Sequence, residues 1–318
     1  MKKPLILLLK IAVSGGLIAF LVTQMDLAAV RGALAAVTPF SVIACIGLLF
    51  AQMFLLTLRW TILMRAAGAD IGYWAALRIL FAAMFFTQAL PSSIGGDAVR
   101  IYMVHRRGLP LGQASSTVLL DRAAGLTSLI VMMALFGHIV FARLPGDSGP
   151  WLQLLPVAAL LAIGAGFWLL PRIARLLAVY RWGARLANPL GLIGQLARDI
   201  RLAVPVFAIS FSVHASTALA VWILAGDLAP GITYFTVLAF LPPAILLMVL
   251  PITIAGWGVR EGVLVTLFTL TGYGGAEGLI VSLLWGVTTL LAVVPAGLVW
   301  LVTRDQGEGL PPTTSNPA

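Results

Sequence analysis

The sequence predicts an all-α integral membrane protein in which six full transmembrane helices and two re-entrant helical hairpins form an inverted repeat. Three observations predict it. The chain is 61% hydrophobic and 10% charged, with a mean hydropathy of +1.05, whereas soluble domains carry roughly a quarter charged residues. A ten-residue pattern occurs twice: Pro91-Ser-Ser-Ile94-Gly-Gly96-Asp97-Ala-Val99-Arg100 and Pro251-Ile-Thr-Ile254-Ala-Gly256-Trp-Gly-Val259-Arg260. Pro, Ile, Gly, Val and Arg share offsets in copies 160 residues apart. Finally, the excess of basic residues falls on one side of the membrane only if both of these segments enter and return without crossing.

Taken in order, the first expected span is 5–23, where Lys2 and Lys3 precede an apolar run and Lys10 divides it. No clear small-x-small cleavage site follows, so the segment reads as a retained helix rather than a signal peptide. The second span is 39–58. It holds Cys45, the single cysteine, which excludes a disulfide framework and a cysteine metal site. Segment 74–105 is the first hairpin, with its tip at Pro91–Asp97. Were 74–90 to cross, Arg59, Arg65 and Arg78 would lie on the opposite face from Arg100, Arg106 and Arg107, against the positive-inside tendency.

Spans follow at 123–141, 152–171 and 203–225, the last two separated by a basic loop over 172–201. Segment 233–272 is the second hairpin, entering from outside with its tip at Pro251–Arg260, and 278–302 is the final span. Cytoplasmic segments then sum to +11 and external ones to −2, which accounts for the net charge of +9. That charge reflects basic loops of a membrane protein, and no soluble basic face for nucleic acid is expected. Residues 1–302 read as a single membrane domain with halves of about 1–145 and 146–302. Polar, Pro-rich 303–318 reads as a disordered tail.

Broken helices at membrane depth need protein or water around them, so the two tips are expected to meet near the midplane in a lipid-shielded slot. The first tip offers Ser92, Ser93, Gly95, Gly96, Asp97 and Arg100 at the start of a return helix, whose free N–H groups suit an anion. Asp97 reads equally as an N-cap with Arg100 its i+3 partner. The second tip offers Gly256, Arg260 and Glu261. As sequence neighbours, Arg260 and Glu261 are not expected to face each other. Asp121 and Arg122 read as an interfacial pair at a helix start, or as residues of the cytoplasmic mouth. His214 lies mid-span near Ser210, Ser212, Ser216 and Thr217, either in close helix packing or as a proton relay. No nucleotide-binding loop, metal-ligand spacing or nucleophile constellation occurs, so no cofactor, metal or catalytic residue is expected.

The two tip motifs, with Val118-Leu-Leu-Asp121-Arg122-Ala-Ala-Gly125 between them, resemble the flippase-like membrane family. This is the family of the transmembrane domain of lysylphosphatidylglycerol synthase, also labelled UPF0104, and the resemblance covers roughly 5–302. It implies movement of a lipid between leaflets, with aminoacylated phosphatidylglycerol the best-known cargo. The chain stops at residue 318 without a soluble aminoacyltransferase domain, so it is not expected to make that lipid itself. The expected function is translocation of a phospholipid, aminoacylated lipid or polyprenyl-type lipid across the bacterial inner membrane, with both termini cytoplasmic. The ligand would carry an anionic or zwitterionic headgroup held by Ser92, Ser93, Gly95, Gly96, Asp97, Arg100, Arg122, Gly256, Arg260 and Glu261. The rival readings are an integral membrane transferase on a lipid-linked substrate and a non-transporting partner of a separate lipid-modifying synthase.

Overall fold

The computed structural model describes residues 27–69, 71–89, 95–144, 148–180, 184–249, 253 and 256–303, all helices, turns or loops. The expected first span, Ser92, Ser93 and the polar tail beyond Thr303 lie outside the described residues. Twelve helices are described: α1 (Leu27–Ala36), α2 (Pro39–Ala66), α3 (Tyr73–Ala89), α4 (Gly95–His105), α5 (Leu111–Phe136), α6 (His138–Phe141), α7 (Ser148–Ala178), α8 (Ala184–Arg198), α9 (Ile200–Gly226), α10 (Tyr234–Met248), α11 (Val259–Leu270) and α12 (Gly275–Thr303). Five of them, α2, α5, α7, α9 and α12, are long and apolar enough to cross a bilayer. Helix α7 turns Trp151, Leu155, Leu161 and Leu176 outward, a surface that fits lipid rather than water.

Local chemistry sets the helix starts. Thr38 accepts from the Ser41 N–H ahead of Pro39, Asp199 accepts from Arg201, and Thr233 accepts from Thr236; each is an N-cap that satisfies an otherwise orphaned donor. Several boundaries differ from the sequence reading, two of them at the candidate site. Helix α2 runs to Ala66 rather than 58, because apolar Trp60–Met64 continues the helix past Arg59. Helix α5 begins at Leu111 rather than 123, since its first turns are small and polar but still helical. Asp121 and Arg122 therefore sit within a long helix and not at its start. The basic loop over 172–201 contains an amphipathic helix, α8, whose Ile193 packs with Leu63, Leu120, Leu202 and Val206.

Helices α3 and α4 form a hairpin that returns to its starting end. Ala76 and Ile79 of α3 and Val104 of α4 share one apolar cluster with Trp60 and Met64 of α2 and Ala114 of α5. Helices α10 and α11 do the same. Phe240 meets Phe268 with ring centroids 5.3 Å apart, and Phe268 meets Tyr273 ahead of α12 at 6.0 Å.

Helix pairs recur under one exchange: α2 with α9, α3 with α10, α4 with α11 and α5 with α12. Thus α3 packs on α12 as α10 packs on α5, and α2 packs on α12 as α9 packs on α5, while α2 and α9 pack on each other. The correspondence reaches single hydrogen bonds. Tyr73 donates to the Phe54 carbonyl and Tyr234 to the Ala215 carbonyl, each 19 residues upstream.

Candidate functional site

Four helices bring an alternating row of charges together. From α2, Arg59 Nε donates to Asp121 Oδ1 of α5 at 2.7 Å, and Arg59 Nη1 donates to Ser210 Oγ of α9 at 2.9 Å. From α4, Arg100 Nη1 donates to Asp121 Oδ2 at 2.9 Å and lies 3.7 Å from Asp97 Oδ1. Arg122 Nε donates to Asp97 Oδ2 at 2.6 Å. The order Arg59–Asp121–Arg100–Asp97–Arg122 holds three cations and two anions, one positive charge in excess. His214 of α9 closes one side, with Nε2 3.2 Å from the Gly125 carbonyl that accepts from it.

The location is deep. Arg59 is seven residues from the end of α2, Asp121 ten from the start of α5, and Asp97 eight from the end of α4. At 1.5 Å per residue these lie roughly 10–15 Å in from the helix ends, against a hydrocarbon core of roughly 30 Å. Arg59, Arg100 and Asp121 are each 95% or more buried. Burying such ions without partners costs several kcal/mol apiece, which the short charge-assisted bonds offset. All five charged residues line a cavity of about 230 Å³, together with Gly96, Gly125 and His214; Ile245 and Val249, at the end of α10, form an apolar side.

Gly96 makes the geometry possible. A Cβ there would collide with Thr87 Oγ1 and the Ala83 carbonyl, so only glycine lets α4 lie this close to α3. Gly95 is the first residue of α4 and Asp97 the third. Asp97 is therefore not the N-cap; its carboxylate lies inside the first turn, where it complements the positive helix end while bonding to Arg122.

The second motif builds a separate cluster. Arg260 Nε and Nη2 donate to Glu261 Oε1 at 3.0 and 2.6 Å, and Arg260 Nε also donates to Ser282 Oγ of α12 at 3.1 Å. Adjacent Arg260 and Glu261 thus do pair, against the sequence expectation. Glu261 folds back to accept from the Gly258 N–H at 2.5 Å, which brings its carboxylate to the helix mouth within reach of the arginine. Arg260 lies over Trp257 at 4.5 Å, and a Cβ on Gly286 of α12 would run into the guanidinium. Gly256, at φ +81°, lies against Met248.

No hydrogen bond or ion pair among the described residues joins the two clusters, and the 230 Å³ cavity includes none of Gly256, Arg260 or Glu261. Among the described residues the charges expected in one slot form two clusters: Arg100 reaches Asp121 on α5, whereas Arg260 pairs with Glu261 beside it and reaches Ser282 on α12. Of the expected set, Gly96, Asp97, Arg100 and Arg122 come together, with His214 beside them. Two further members, Arg59 and Asp121, were not in that set. Their signal in the sequence is an ionised residue within an apolar stretch that resumes on its far side, as Leu58-Arg59-Trp60 does.

A family model described as the lysylphosphatidylglycerol synthase TM region matches residues 7–297. The chain is also similar to two curated UPF0104 membrane proteins. One, from Archaeoglobus fulgidus, is 37% identical over 65 residues, 20% of each chain. The other, from Methanothermobacter thermautotrophicus, is 29% identical over 142 residues, 44% of this chain and 41% of that one. Each alignment spans less than half the length of the curated relative.

Proposed function

The chain belongs to the lysylphosphatidylglycerol synthase transmembrane-region family, and on that premise we propose that it is a lipid translocase whose cargo headgroup passes through the Arg59–Arg122 cavity. The observation that carries this reading is a row of five ionised side chains with one positive charge in excess, three of them buried and Arg122 partly exposed, lining one cavity. Ionised groups at such depth are expensive to keep and mark pathways for polar cargo. A headgroup with a phosphate matches the excess charge, and its acyl chains stay in the surrounding bilayer.

The proposed arrangement is an inverted repeat of six spans with two re-entrant hairpins. At 17 and 11 residues, α3 and α4 measure about 25 and 16 Å, too short to cross a core of roughly 30 Å. The paired contacts of α2–α5 and α9–α12 support two halves that rock against each other about the α2–α9 contact. There Gln52 donates to Ser216 and accepts from Thr217. Arg65, Arg106, Arg198 and Arg201 cluster around the shared end of α2, α4, α8 and α9, which favours that end as cytoplasmic in an inner membrane. Movement runs down a gradient or couples to an ion, and a separate lipid-modifying synthase is a natural partner.

The test is reconstitution into liposomes with headgroup-labelled lipids. Protein-dependent exchange between leaflets, with no new lipid species and abolished by Arg100→Ala, supports the reading. A new lipid species made by the protein would favour a transferase instead. Absence of both, restored by adding a synthase, would favour the partner role.

A further inference from the structure

Arg100 and Arg260 occupy the same place in the repeated motif and differ in one respect that bears on ligand chemistry. Each reaches to the long helix that follows it, Arg100 to Asp121 and Arg260 to Ser282. Each also lies over a tryptophan, Arg100 at 4.2 Å from Trp60 and Arg260 at 4.5 Å from Trp257. A guanidinium stacked this way directs its N–H donors sideways, in its own plane. In the second half, Nε and Nη2 of Arg260 both donate to a single oxygen, Glu261 Oε1. In the first half the same two nitrogens of Arg100 are buried and have no acceptor among the described residues. The sequence gives a direct cause: Glu261 follows Arg260, whereas Ile101 follows Arg100.

We propose that Nε and Nη2 of Arg100 receive one oxygen of a phosphate-type anion, so that the ligand supplies to the first half the oxyanion that Glu261 supplies to the second. Charge agrees with geometry. Arg260 and Glu261 cancel each other, and the second cluster is closed upon itself. Arg59, Arg100 and Arg122 exceed Asp97 and Asp121 by one, which a monoanion such as a phosphodiester neutralises. Arg100 is 4% exposed and lines the 230 Å³ cavity, so the pair of donors belongs to a buried site and not to the surface. That the phosphate belongs to a lipid rests on the translocase reading; free phosphate shares the chemistry.

The experiment uses the full chain in phosphatidylcholine nanodiscs with headgroup-labelled phosphatidylglycerol as one probe and inorganic phosphate as the other. Ile101→Glu places a carboxylate after Arg100 as Glu261 stands after Arg260, and is expected to weaken phosphatidylglycerol binding at least tenfold relative to Ile101→Leu. Arg100→Lys keeps the charge but removes the paired donors, and is expected to lose a similar factor; thermal melting verifies that each variant is folded. Binding of phosphatidylglycerol by folded Ile101→Glu or Arg100→Lys within twofold of the control overturns the proposal and leaves lipid transport standing. Binding of inorganic phosphate alone, with the same sensitivity to both substitutions, upholds the oxyanion site and removes the lipid reading.

Discussion

Asp121 accepts from two buried arginines, and its removal would leave both without a full counter-charge. Asp121→Asn is expected to destabilise the protein by about 3–5 kcal/mol, the cost of breaking a buried pair, measured as a lowered melting temperature in detergent. Arg122 is the useful contrast. Its side chain is 42% exposed, so Arg122→Ala is expected to cost at most about 1 kcal/mol, while slowing lipid exchange at least fivefold. Equal melting losses in the two variants would contradict the depth assigned to each. The repeated Pro-x-x-Ile motif made Asp97, Arg100 and Arg260 visible in the sequence. Arg59 was not visible as a site residue, because the apolar run before it falls off there and its return at Trp60–Met64 reads as a loop edge. Asp121 was read only as one of a pair at a helix start, because the small or polar residues over 112–117 lower hydropathy without ending the helix.

At the scale of elements, the first hairpin depends on close contact between α3 and α4. Gly96→Leu places a side chain against Thr87 and the Ala83 carbonyl, and overpacking of this kind costs about 1–3 kcal/mol. The expected result is a lower melting temperature together with weakened ligand binding, since Asp97 and Arg100 ride on the displaced helix. The link between the halves at the start of α2 gives a pH-dependent prediction. Burial alone would raise the Asp227 carboxyl, but hydrogen bonds from the Thr38 N–H and the Thr38 and Ser41 hydroxyls outweigh it and hold it below its ordinary value of 3.8. A depressed carboxyl contributes stability above that ordinary value and loses it as pH falls through the folded one. Melting of the wild type should therefore decline more steeply below about pH 4 than that of Asp227→Asn; parallel curves would show that the contact contributes nothing. The existence of the five described spans was legible from hydropathy, and the return of α4 toward the start of α3 from charge. The helical nature of 184–198 was not, because its basic residues mask an apolar face that packs on α2, α5 and α9.

For the whole molecule, two halves with matched helix pairs have become chemically unlike at matched places: Asp121 against Ser282, and Ile101 against Glu261. The recurrence of helix pairs could be read from the spacing of the two motifs, but the difference between an open charged cavity and a closed ion pair could not. It depends on the pairing of adjacent Arg260 and Glu261, which sequence adjacency alone does not predict. Topology is testable with single cysteines at Arg106 and Ala142 in a Cys45→Ala background, which are expected to react from opposite faces of the membrane. Labelling of both from one face would contradict the proposed repeat. The central claim is that the first cluster carries a lipid headgroup, and the most direct measurement is the rate at which headgroup-labelled phosphatidylglycerol exchanges between leaflets of proteoliposomes. The account predicts fast exchange by the wild type and at least a tenfold slower rate for folded Arg100→Lys. Equal rates for the two, or no protein-dependent exchange with any labelled phospholipid, would contradict it.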